Sequence, residues 1–239
     1  MAIFRKKQKA PLGAESALTL RTADGAPLYT FPGSVINSMR HLETSLMYKG
    51  ALPARIAMVA ALRQEGVTYT TLALATTLAY DLDVRVCVVD LNWSSPSDWP
   101  DDDGMQAGMA DILRGTTDLD HALSATGIAG LSVLRAGEAS IVERPTLAHS
   151  AELEKTLLEL SELYDHLIID LPAVHAASET LTLAESAGAL AFVVNQGVTP
   201  EDEVRSALEE LSGPPVLGVI LNRSSSRVPR IIRRRIPGF

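Results

Sequence analysis

Three carboxylate or amide side chains stand directly behind apolar runs in this sequence. Asp90 closes "VRVCVVD" (84–90), Asp170 follows "HLII" in "HLIIDLP" (166–172), and Asn222 closes "VLGVILN" (216–222). A fourth apolar run, "RIAMVAAL" (55–62), is followed by "RQEGVTYT" and then an Ala/Leu/Thr-rich stretch with helical character. Strand, short loop and helix in that order form the layout in which backbone N–H groups at a helix start hold phosphate oxygens. A carboxylate behind a neighbouring strand suits Mg²⁺ bound through water, or the polarisation of an attacking group. The candidate loop residues are Arg63, Gln64, Glu65, Gly66, Val67, Thr68 and Tyr69. That loop has one glycine and no lysine, an unusual composition for a phosphate cradle.

These residues need a scaffold that delivers several strand ends to one place. Strands are predicted at 55–62, 84–90, 131–137, 166–172, 189–195 and 216–222, and helices at 68–80, 106–114, 150–163, 178–187 and 200–212. Several of the strands are continuously apolar, as expected when helices cover both faces of a sheet. The alternation predicts an α/β fold with a doubly wound, mainly parallel sheet. In such sheets ligands bind at the carboxyl ends of the strands, where Asp90, Asp170 and Asn222 stand. Residues 1–34 read as a basic linker built from "KKQKAPLGA", "TADGAP" and "FPGS". From Val35 to Lys49, the residues Val35, Met39, Leu42, Leu46 and Met47 mark one face of a helix.

With 239 residues and 46% hydrophobic content, the chain can bury the core of one such domain. The single cysteine, Cys87, excludes an internal disulfide and fits a buried strand position in a reducing, cytoplasmic setting. The net charge of −8 hides an asymmetry. Four basic residues in 1–10 and six arginines in 223–239 leave 11 basic against 29 acidic residues between them. An acidic globule with basic ends is a poor nucleic-acid binder. The Arg-rich tail, with Val228, Ile231, Ile232, Ile236 and Phe239 interspersed, suits an anionic membrane surface or an acidic partner. The five histidines lack metal-ligand spacing; His175, Trp93 and Trp99 are read as structural, and "DWPDDDG" (98–104) as a solvated loop.

In order and wording, the segments "MRHLETSL" (39–46), "AALRQEGVTYTT" (60–71), "CVVDLNWSSPS" (87–97), "GMADILRG" (108–115), "LSVLRAG" (131–137), "YDHLIIDLPAV" (164–174) and "GVILN" (218–222) form a pattern. It resembles the MinD/ParA class of P-loop ATPases and, within it, the bacterial tyrosine kinases (CpsD/CapB-like) of capsule and exopolysaccharide systems. The resemblance covers residues 35–222, which divides the chain into a basic segment (1–34), a P-loop domain (35–222) and an Arg-rich tail (223–239). It implies ATP and Mg²⁺ as ligands. The loop from Arg63 to Tyr69 would hold phosphate, and Thr68, Asp90 and Asp170 would hold the metal. Asp90 and Asp170 would also be catalytic, and Asn222 would meet the adenine.

The departures from the family pattern fall on the chemistry. "GEGKST" becomes Gln64-Glu65-Gly66-Val67-Thr68-Tyr69, so the phosphate lysine is Val67. A second lysine, found in the ParA/MinD loop, falls at Leu62. "DxDxR" becomes Asp90-Leu91-Asn92-Trp93-Ser94, and the tyrosine-rich tail of the kinases has no counterpart in 223–239. These changes count against ATP and Mg²⁺ binding and against turnover. The leading expectation is a degenerate, non-catalytic CpsD-like component of exopolysaccharide biosynthesis. Its implied partners are a membrane-bound polysaccharide co-polymerase and an active paralogue or a second copy. Its place would be cytoplasmic, at the inner face of the plasma membrane. The alternatives are a weakly active ATP-dependent tyrosine kinase or ATPase using Arg63, Thr68, Asp90 and Asp170, and a MinD/ParA-like positioning ATPase.

Overall fold

A computed structural model of the chain describes residues 17–48, 50, 52–96 and 107–224. The fold is built on a seven-stranded sheet. Its strands are β3 (Arg55–Ala60), β4 (Val86–Asp90), β5 (Leu123–Ala125), β6 (Leu131–Leu134), β7 (His166–Asp170), β8 (Ala189–Asn195) and β9 (Val216–Asn222), in the spatial order β5-β6-β4-β7-β3-β8-β9. Every neighbouring pair is parallel except β5 with β6. Strands β4 and β8 are buried along their whole length, which is why they read as unbroken apolar runs.

Helices close both faces. On one side α1 (Gly33–Tyr48) and α2 (Val67–Leu82) pack with Met58, Val88, Val133, Ile168 and Val193. On the other, α6 (Ala151–Leu163), α7 (Thr180–Glu185) and α8 (Glu201–Glu210) pack with Val59, Val89, Leu134, Ile169 and Phe192. Helix α2 is buried at every residue from Thr70 to Ala79. Small side chains let it lie close to the sheet, and the Thr70 and Thr77 hydroxyls donate to the carbonyls of Gly66 and Ala73 four residues back.

The structure departs from expectation at several places. Within the segment expected as linker, β1 (Leu18–Arg21) and β2 (Pro27–Phe31) form an antiparallel hairpin whose Leu18, Leu20 and Phe31 are buried. The strand expected over 131–137 stops at Leu134, because the carbonyls of Arg135 and Ala136 accept from Met109 and Ala110 at the start of α3 (Met109–Leu113). Gly108 makes that junction possible: a Cβ there would lie 2.3 Å from the Gly137 nitrogen. Two short helices, α4 (Leu119–Ala122) and α5 (Arg144–Ala148), and strand β5 fill stretches without strong periodicity. Residues 1–16, "DWPDDDG", Trp99 and the tail beyond Ser224 lie outside the described residues. No helix among the described residues is long and apolar enough to cross a membrane.

Candidate functional site

The loop between β3 and α2 sits at the carboxyl end of β3, an interior strand with β7 and β8 on either side. Its backbone takes two left-handed steps, at Gln64 (φ 65°) and at Gly66 (φ 89°), the N-cap of α2. Gly66 supplies its step without steric cost, whereas Gln64 carries a Cβ there, which costs roughly 1–2 kcal/mol. No side chain caps the first turn of α2, so its leading N–H groups face the loop side uncapped. Gly66 is also fixed by crowding, since a Cβ there would lie 2.1 Å from Nδ2 of Asn222.

The side chains around this backbone do not carry the charge of a phosphate cradle. Leu62 packs on the cluster shared with α6 and α8, and Val67 packs on the cluster under α2. Both positions expected for lysine are therefore apolar side chains turned onto the core. Arg63 and Gln64 are exposed on the loop surface. Glu65 is buried at 3% exposure; its carboxylate accepts from the Thr199 hydroxyl, and its Oε2 has no hydrogen-bond partner. The Glu65 carbonyl accepts from Asn222 Nδ2 at 2.7 Å, and Asn222 Oδ1 accepts from Arg223 N–H at 2.8 Å. The amide read as an adenine contact is thus engaged with the loop. Tyr69 packs edge-on against Phe31 (5.2 Å between centroids) and Tyr29 (6.4 Å), so the β1–β2 hairpin lies against the first turn of α2. Burial raises the Tyr69 phenol above its ordinary pKa.

The strand-end carboxylates form a second half of the site. Asp90 and Asp170 are direct neighbours in the β4–β7 register, and both are almost fully buried. The Asn92 backbone N–H donates to the Asp90 carboxylate at 2.8 Å. Asp170 accepts from the Thr68 side chain, and its Oδ1 has no partner. Burial, reinforced by the charge of Asp90, holds the Asp170 carboxyl well above the usual carboxylate range, with the Thr68 hydrogen bond opposing the rise. A hydroxyl and two carboxylates, one with a buried lone oxygen, are hard donors that fit a divalent cation completed by water.

No family model matches the chain. It is 25% identical over 198 residues to the tyrosine-protein kinase CpsD of Streptococcus agalactiae, covering 78% of this chain and 82% of that protein. The VpsO kinase domain superposes with a TM-score of 0.68 at 26% identity, covering 80% of this chain and 96% of that one. The chain is therefore similar to the CpsD-like bacterial tyrosine kinases in sequence and shares the fold of their kinase domains. Its MinD/ParA-like fold is also that of the septum site-determining protein MinD of Pyrococcus horikoshii, solved with Mg-ADP: TM-score 0.58, 21% identity, 76% of each chain.

Against the CpsD-like pattern, three residues of this site carry little or no advance signal. Thr199, which holds Glu65, lies in an ordinary loop after β8 and 134 residues away in sequence. His175, read as structural, has Nδ1 2.7 Å from Glu203 and Nε2 3.4 Å from Glu210, which ties the turn after β7 to α8. Arg135 follows Leu134, the last residue of β6, and its carbonyl accepts from the Met109 N–H at the start of α3. By alternation Asp90 and Asp170 share the sheet face covered by α2.

Proposed function

We propose that this CpsD-like chain is a degenerate, non-catalytic component or regulator of capsule or exopolysaccharide assembly, working beside a membrane-bound polysaccharide co-polymerase and an active paralogue or second copy. The pathway rests on the relatives named as CpsD kinases. The loss of catalysis rests on one observation: Val67 and Leu62, where lysines would reach phosphate, are packed onto the core. A charge-assisted contact to phosphate is worth about 1.5–3 kcal/mol in binding. An electrostatic group aimed at the transition state is worth about 10²–10³ in rate. Calorimetric titration with Mg-ATP is expected to give no low-micromolar affinity, and incubation with Mg-ATP no phosphate adduct by intact mass. Time-dependent addition of phosphate at a tyrosine overturns this reading.

The second reading is a weakly active ATPase or tyrosine kinase, and the Thr68–Asp90–Asp170 group favours it. These residues would hold Mg²⁺, which when bound neutralises phosphate charge. Thr68 and Asp170 would orient the bound ion, Asp90 would accept a proton or order water, and Arg63 would supply positive charge. A Thr68→Val or Asp170→Asn variant that lost a measurable ATPase rate would carry this reading over the first.

A further inference from the structure

Strand β9 ends the sheet, and no described strand pairs with its outer edge. Its sequence, "VLGVILN", has no charge and no proline, the devices that normally protect an edge from adventitious pairing. On the face shared with Phe192, Val194 and α8, its Val219 and Leu221 are 48% and 53% exposed; Val216 at the start of the strand is 39% exposed. The adjoining α8 carries Glu201, Asp202, Glu203, Glu209 and Glu210 against one basic residue, Arg205. An uncovered apolar edge and an acidic helix therefore lie on one side of the molecule.

The chain beyond β9 has the complementary composition. Residues 227–239 contain five arginines separated by Val228, Ile231, Ile232, Ile236 and Phe239. The backbone turns at Arg223, whose φ is 54°, immediately after the strand. Thirteen residues can span about 40 Å when extended, whereas the seven residues of β9 need only about 23 Å. A second copy pairing edge to edge would bring one acidic α8 against another, which disfavours it.

We propose that the face formed by β9 and α8 is a docking surface for the chain's own segment 227–239, with Ile and Val side chains on Val219 and Leu221 and arginines toward the α8 carboxylates. The test uses the full chain and hydrogen exchange of the β9 amides. The segment variant R227S/R230S/R233S/R234S/R235S and, separately, the helix variant D202K/E209K are each expected to speed exchange at Val219–Leu221 about tenfold, with β3 and β4 unchanged. Roughly 0.5 M salt should do the same to the unmodified chain. Equal exchange in all three proteins overturns the proposal, as does protection that grows with protein concentration together with a doubled mass, which assigns the edge to a second copy. Unchanged exchange in a chain that sediments with anionic vesicles also overturns it, and gives the arginines to lipid. Since the two variants act on opposite partners, misfolding of one leaves the other to decide.

Discussion

The two halves of the site have changed unequally. On the loop side, the lysine positions are occupied by Leu62 and Val67, both packed on the core. On the strand-end side, buried Asp90 and Asp170 stand together with the half-buried Thr68 hydroxyl on Asp170. The apolar replacements fit the fold at no electrostatic cost. The carboxylate pair is a liability, since two buried acids side by side oppose each other's ionisation. The half that folding would most readily discard is the half that remains. The contrast is thus between an apolar loop side that costs the fold nothing and a carboxylate end that does.

The comparison is most sharply broken by restoring the loop. Val67→Lys returns one charged contact and is expected to tighten Mg-ATP binding about ten- to hundredfold, read by calorimetry. No gain would show that the loop side has lost more than charge, with Gln64 the next obstacle. The carboxylate side is tested by Asp170→Asn. The raised folded pKa means that protonated Asp170 adds stability in full below the unfolded carboxylate range, and that this stability is lost as pH rises through the folded value. The amide removes that dependence, so the variant should melt roughly 2–4 °C higher at neutral pH and show a flatter acid-side profile. A lower melting temperature at neutral pH would mean that the ionised carboxylate is needed by the fold.

Smaller effects refine the contrast. Mg²⁺ without nucleotide should raise the melting temperature of the unmodified chain by about 1–2 °C at millimolar concentration, and Thr68→Val or Asp170→Asn should abolish that rise. An equal shift in both variants would place the ion elsewhere. Gln64→Gly removes a side chain from a left-handed position and should change stability by no more than about 1 kcal/mol, because relief of strain is set against the entropy of glycine. A loss of several kcal/mol would show that the Gln64 side chain is itself a structural contact.

The parallel strands were legible because burial on both faces leaves unbroken apolar runs, and their carboxyl ends then locate Asp90, Asp170 and Asn222. The β1–β2 hairpin had a signal that "TADGAP" masked. Leu18 and Leu20 alternate before an Asp-Gly turn, but four- and five-residue strands are too short to stand out from linker chemistry. Composition showed that the loop lacks lysine. It did not show that Val67 and Leu62 face opposite cores, because that depends on the loop's path. Thr199 was invisible for a simpler reason: a threonine becomes a partner of Glu65 only when folding brings positions 134 apart together.

Glu65 ties the loop to its neighbouring strands. Through its carboxylate it is tied to Thr199, beyond β8, and through its carbonyl to Asn222, the last residue of β9. Three strand ends are joined at one residue, like ropes at a single cleat. Loss of either tie would leave the loop anchored through the other alone.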